Sequence, residues 1–184
     1  MIITTSANFW NELKISENYD VFRDYDALEI GALDGGGTQV FAKHFNRCFV
    51  IDPWDGRQQG NQNKYEKWLN NTSIFNNVFH CITGSETEAA KQFLNNITNL
   101  NLGFVFIDGL HTKEGVLNDF QLVLPFCSKN TIILLDDTDY FPVLDGLNEV
   151  LRIHKDKIYE LNNYAYKNND GLIDPISKKT FGVK

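Results

Sequence analysis

The 184-residue sequence predicts an α/β fold: a single doubly wound, mostly parallel sheet with helices on both faces, closed by a C-terminal antiparallel hairpin. Three observations carry that expectation. Five short runs rich in β-branched and aromatic residues recur along the chain, each ending in a polar or glycine turn. Helix-length segments separate most of them. Runs such as Phe104-Val-Phe-Ile107 and Thr131-Ile-Ile-Leu-Leu135 are apolar without alternation, the pattern of strands buried on both faces.

Taken in order, residues 6–25 carry Phe9, Trp10, Leu13, Val21 and Phe22 at mixed helical spacing, which predicts one or two short helices. The strand runs follow at 27–32, 48–52, 78–83, 103–108 and 131–136, with helices at 38–45, 65–69, 86–95, 113–124 and 145–154. Residues 53–64 are polar, rich in Gln, Asn and Gly, and lack periodicity. Directly after the second strand, such a segment emerges at the carboxyl ends of the sheet, where ligands bind. A closing lid and a disordered excursion are both compatible with it. Residues 157–166 alternate loosely and 179–183 are β-like, and the turn-forming Asn168-Asn-Asp-Gly171 between them makes the pair a hairpin. No repeat, low-complexity tract or linker interrupts the chain, so 1–184 reads as one domain.

Composition narrows the function classes. An apolar content of 42% supports one self-sufficient core. A net charge of −7 and a pI near 5 argue against a nucleic-acid surface, which needs clustered Lys and Arg to displace counterions. A small or neutral substrate fits better. With no charged-then-apolar leader and no run long enough to span a bilayer, the expectation is a soluble, cytoplasmic protein that does not engage membranes. Cys48, Cys81 and Cys127 are odd in number, far apart and set in apolar runs, so buried free thiols are expected.

The first strand breaks into glycines: Glu29-Ile-Gly31-Ala-Leu-Asp34-Gly35-Gly36-Gly37. A strand, a tight turn and a helix start let backbone approach a ligand, with the helix N-terminus offering unpaired N–H groups. The spacing does not meet G-x-G-x-x-G, which argues against a nicotinamide dinucleotide. Asp52 ends the next strand, where an acid can accept two hydrogen bonds from a ribose diol. A ligand-free glycine turn and an Asp-Pro turn former are the plainer readings of these residues.

A second constellation lies further on. Asp108-Gly-Leu-His111 ends the fourth strand and Asp136-Asp137-Thr138 the fifth, so three carboxylates and one imidazole project from adjacent strand ends. A hard divalent cation, Mg2+ or Mn2+, relieves the repulsion of such oxygens, and a zinc set of Cys and His is absent. Acids at strand ends are also ordinary in α/β domains. His111 can sit beside a metal held by Asp108 and take a proton from a hydroxyl, or it can cap the following helix.

The glycine turn with Asp52 resembles the class I S-adenosylmethionine-dependent methyltransferases and their Rossmann-like fold. That resemblance implies that Glu29, Gly31, Asp34, Gly35 and Asp108 surround the cofactor, that Asp52 holds its ribose, and that Ser85 of Thr83-Gly-Ser-Glu86 meets the adenine. The run from Phe106 to Asp119, followed by Leu134-Leu-Asp-Asp-Thr138, is similar to a narrower group, the metal-dependent sugar and macrolide-sugar O-methyltransferases and their cephalosporin-hydroxylase-like relatives. The resemblance covers about residues 27–137. It implies Asp108, Asp136 and Asp137 as metal ligands, His111 as base, and a hydroxyl of a small molecule, a sugar or polyol, as methyl acceptor. A non-catalytic cofactor-binding partner subunit and an NAD-dependent oxidoreductase are the competing readings. Neither the acceptor's identity nor the oligomeric state is written in the sequence, and a homo-oligomer is compatible with it.

Overall fold

The computed structural model describes residues 2–4, 22–55, 63–167 and 173–184. Residues 6–21 of the segment expected to hold short helices, and the turn at 168–171, lie outside the described residues. So does most of the irregular segment at 53–64.

Among the described residues, eight strands form one sheet: β1 (Ile2–Thr4), β2 (Asp26–Ile30), β3 (Arg47–Ile51), β4 (Val78–Cys81), β5 (Leu102–Ile107), β6 (Ile132–Leu135), β7 (Ile158–Lys167) and β8 (Ile173–Val183). Their spatial order is β1-β7-β8-β6-β5-β2-β3-β4. Strands β4, β3, β2, β5 and β6 run parallel, as the uninterrupted apolar runs predict. β7 and β8 are antiparallel partners, but the hairpin does more than close an edge: β8 inserts between β6 and β7.

Among the described residues, five α-helices follow the strands: α1 (Gly36–His44), α2 (Lys64–Thr72), α3 (Glu88–Asn95), α4 (Lys113–Val123) and α5 (Phe141–His154). Thr87 and Thr112 cap α3 and α4, accepting from the N–H of Ala90 at 3.2 Å and of Gly115 at 3.0 Å. α5 starts four residues before the expected 145, because Pro142 suits the first turn of a helix. None of these helices is long and apolar enough to cross a membrane.

Alternate residues of each central strand feed two cores. Leu28, Ile30, Phe49, Ile51, Val105 and Ile107 pack against α3, α4 and α5 through Leu94, Phe120 and Leu147. Ala27, Cys48, Val50, Phe104 and Phe106 face the other way, against Phe41 of α1 and Trp68 of α2. Two-sided burial is the reason these strands carry no polar alternation. The cysteines are free thiols, as expected, though only Cys48 is fully buried.

At the amino ends of the strands, Asp26 is buried and accepts from Arg47 Nε at 2.9 Å and Nη2 at 2.6 Å, and from the Asn101 N–H at 2.9 Å. This charge-assisted fork ties β2 to β3 and to the start of β5. The opposite edge, where the carboxyl ends gather, is left for chemistry.

Candidate functional site

Strand order reverses at β2: β3 and β4 lie to one side, β5 and β6 to the other. Open α/β sheets bind ligands outside the carboxyl ends at such a switch point. A cleft opens there, lined among others by Gly31, Leu33, Asp52, Trp54, Ser85, Asp108 and His111.

The glycine turn forms its floor. Gly31 has φ +82°, and a Cβ at this position would run into the carbonyl oxygen of Asp108. The turn is fixed on both sides: Gly31 N donates to Ile51 O at 3.0 Å, and Asp108 N to Ile30 O at 2.8 Å. Asp52 is the tie at the wall. Its Oδ2 accepts the N–H of Ala32 at 2.7 Å and of Leu33 at 3.1 Å, and its Oδ1 accepts that of Trp54 at 2.6 Å. Trp54 closes the loop, its indole Nε1 donating to Leu33 O at 2.8 Å. Leu33 and Trp54 both hold left-handed backbone, φ +50° and +44°. Strained positions of this kind persist where surrounding bonds over-determine them. Asp52 thus spends three acceptor sites on backbone, and a carboxylate has about four.

Other residues expected around a cofactor stand further back. Gly35, φ +91°, caps α1 against Trp68, outside the cleft lining. Asp34 is half-exposed and lies 3.8 Å from Lys64, a cleft residue. Glu29 is buried behind the turn, where its Oε2 accepts from the Thr38 hydroxyl, which in turn accepts from Trp68 Nε1 at 2.9 Å. Burial pushes its carboxyl up to about 8, against the pull of the Thr38 hydrogen bond, with Asp108 and Asp52 adding to the rise. Ser85 does reach the cleft, and its hydroxyl donates to Asp119 of α4. Asp119 is buried, which raises its carboxyl to about 7 despite the Ser85 bond.

The acid cluster assembles at the other end. Asp108 follows β5 and Asp137 follows β6, neighbours in register through Ile107 and Leu135. His111 Nε2 stands 3.1 Å from Asp108 Oδ1 and 3.1 Å from Asp137 Oδ2. Asp137 adopts φ +50°, a conformation Asp tolerates better than most residues. Burial raises Asp108 to about 6, the His111 hydrogen bond opposing and the neighbouring Asp136 and Asp137 adding. The same bond to Asp108 lifts His111 above its usual value, against its own burial.

Among the described residues, Asp108, His111 and Asp137 bring three donor atoms within 4.8 Å of one another. Two carboxylate oxygens and an imidazole nitrogen suit a hard divalent cation. Asp136 does not join this group. Its Oδ1 takes the ammonium of Lys178, buried in β8, and the N–H of Asp137 at 2.8 Å. His111 stands beside Asp108 as expected, whereas Asp136, expected among the ligands, is paired to Lys178.

Two contributors escaped the sequence reading. Asp119 lies three residues after Val116 and one before Phe120, on the buried face of α4, so an acid on an apolar helical stripe was the signal. Lys178 precedes the β-like end of the chain, and its partner is set by pairing over a long separation.

A family model described as a methyltransferase domain matches residues 28–138. An uncharacterized protein of Acanthamoeba polyphaga mimivirus is 32% identical over 121 residues, 62% of this chain and 52% of that protein. The chain therefore spans about half the length of that relative. Among solved structures, the O-methyltransferase of Bacillus cereus in complex with SAH superposes with a TM-score of 0.71 at 18% identity, covering 98% of this chain and 82% of that one. The TDP-rhamnose 3'-O-methyltransferase CalS11, of calicheamicin biosynthesis, superposes with a TM-score of 0.65 at 11% identity, covering 96% and 79%. At these identities the likeness is one of fold.

Proposed function

The chain belongs to the methyltransferase-domain family, and on that premise we propose that residues 1–184 act as one domain transferring a methyl group from S-adenosylmethionine to a hydroxyl of a small molecule, a sugar or polyol. The observation that carries this reading is the placement of His111 between Asp108 and Asp137, at the mouth of the cleft whose floor is the Gly31 turn.

Gly31 gives the cofactor a floor that no side chain obstructs. The remaining acceptor capacity of Asp52 faces its ribose, and Ser85, braced by Asp119, its adenine. Glu29, Asp34 and Gly35 support from behind: they shape the turn and the start of α1. Asp108 and Asp137 would hold Mg2+ or Mn2+, with Asp136, paired to Lys178, beside them. The two bound groups supply a methyl on a cationic sulfur and a positive charge that favours the alkoxide form of the acceptor. His111 then has one task, to accept the acceptor's proton at Nε2. A proton there lies between two carboxylate oxygens, which stabilise the imidazolium. The cofactor would supply its methyl group to that hydroxyl oxygen, the electron pair of the broken carbon–sulfur bond leaving with the sulfur.

Calorimetry with S-adenosylhomocysteine tests the cofactor half; absence of binding at millimolar concentration would overturn it. Transfer of labelled methyl to a panel of sugars and polyols, with and without EDTA, tests the rest. Full activity in EDTA would remove the metal and leave His111 with its acids as the proton acceptor. Cofactor binding with unchanged turnover in Asp108→Ala would instead favour the non-catalytic reading.

A further inference from the structure

We propose that Lys178 is the resident cation of the acid mouth, and that its pairing with Asp136 sets how tightly this protein takes a divalent cation. The inference rests on the metal-assisted reading above. It begins from the charge the strand ends bring together. Asp108 after β5 and Asp136 and Asp137 after β6 place three carboxylates at one edge, and like charges so placed oppose each other's ionisation. Two side chains answer them, the imidazole of His111 between Asp108 and Asp137 and the ammonium of Lys178 on Asp136.

Lys178 reaches this place through the inserted strand. β6 and β8 pair antiparallel with Leu135 opposite Lys179, so one step further along Lys178 faces Asp136. The ammonium is buried with its partner, their side chains 10% and 13% exposed. A desolvated pair in a strand ladder is fixed, unlike a surface pair that exchanges with water. The same Asp136 Oδ1 accepts the N–H of Asp137, so the lysine also bears on the turn that aims Asp137 at His111.

Two consequences follow from this charge arrangement. The mouth offers a cation the carboxylates of Asp108 and Asp137, with the third acid already paired to Lys178. A fixed positive charge also stands beside the site and repels any second one. Removing the ammonium returns Asp136 as a donor and lifts that repulsion, so affinity for a divalent cation rises.

The test is titration of Mn2+ into the full chain, read by the electron paramagnetic resonance of free Mn2+. Lys178→Met keeps an apolar stem without the charge and is expected to bind Mn2+ about tenfold or more tightly than wild type, the scale on which partners behind a ligand set act. Lys178→Met with Asp136→Asn is expected to lose that gain. Lys178→Gln covers the case in which the methionine variant does not fold: it removes the charge, keeps a polar head, and is expected to raise Mn2+ affinity on the same scale. Unchanged or weaker binding there overturns the inference. Equal or weaker binding by Lys178→Met overturns it while wild-type binding leaves the metal reading intact. Binding only after the substitution supports the inference and removes the metal from the wild-type reaction. Absence of binding in every chain overturns both.

Discussion

Gly31 lies flush against the backbone carbonyl of Asp108, with no room for a Cβ between them. The turn after β2 and the end of β5 therefore make one surface, which couples the cofactor floor to the acid cluster. Gly31→Ala is expected to lose S-adenosylhomocysteine binding and to destabilise the fold by about 2 kcal/mol or more, since it adds a clash to a φ of +82°. Gly36→Ala is the control. Nothing lies within 4 Å of a Cβ there, so the variant should be neutral or slightly stabilised in a denaturant titration.

His111 must be neutral to accept a proton, and its bond to Asp108 lifts it above 6.5. Turnover should therefore rise with pH as His111 loses its proton. His111→Gln is expected to lower kcat by about 10²–10⁴ and to abolish that limb, with cofactor affinity retained. A pH profile unchanged in the variant would assign the limb to another group.

Glu29 links pH to stability. Its carboxyl titrates near 8 in the folded protein, against 4.5 when unfolded. Below 4.5 both states hold the proton. Between 4.5 and about 8 only the folded state does, so stability falls as pH rises through this window, by about 1.4 kcal/mol per unit at most. Glu29→Gln mimics the protonated carboxyl and should show a flatter melting temperature from pH 5 to 8. Parallel profiles for the two proteins would sink this account.

Trp54 lines the cleft with its ring 5.0 Å from that of buried Trp68. Cofactor binding should change tryptophan emission, and Trp54→Phe should remove most of the change. An undiminished response in the variant would place the cofactor away from this wall.

Much of the scaffold was legible because burial on both faces leaves a plain mark. Strands such as Phe104-Val-Phe-Ile107 cannot alternate when both cores claim them, and Gly31 announces a close approach by lacking a side chain. Asp108, His111 and Asp137 were legible from adjacent strand ends. Less visible was the direction in which each acid turns. Glu29 sits one residue from Ile30 and so faces the opposite side of its strand, under α1 instead of into the cleft. Asp136 and Asp137 are neighbours with different partners, and the partner of Asp136 lies 42 positions away, set by the register of β8 with β6. No local pattern encodes such a register.

The insertion of β8 between β6 and β7 bears on how the molecule is made. The ladders β2–β3, β3–β4 and β5–β6 join strands close in sequence, whereas β2–β5, which joins Asp26 to Leu102, and β6–β8, which joins Ile132 to Gly182, each need a longer loop closure. Docking of the hairpin delivers Lys178 together with the missing strand. Until it docks, the nascent sheet carries Asp136 without its counter-ion and a bare edge on β6. Charge balance at the reactive mouth and closure of the sheet are completed in the same event, so partially folded chains cannot present a finished site.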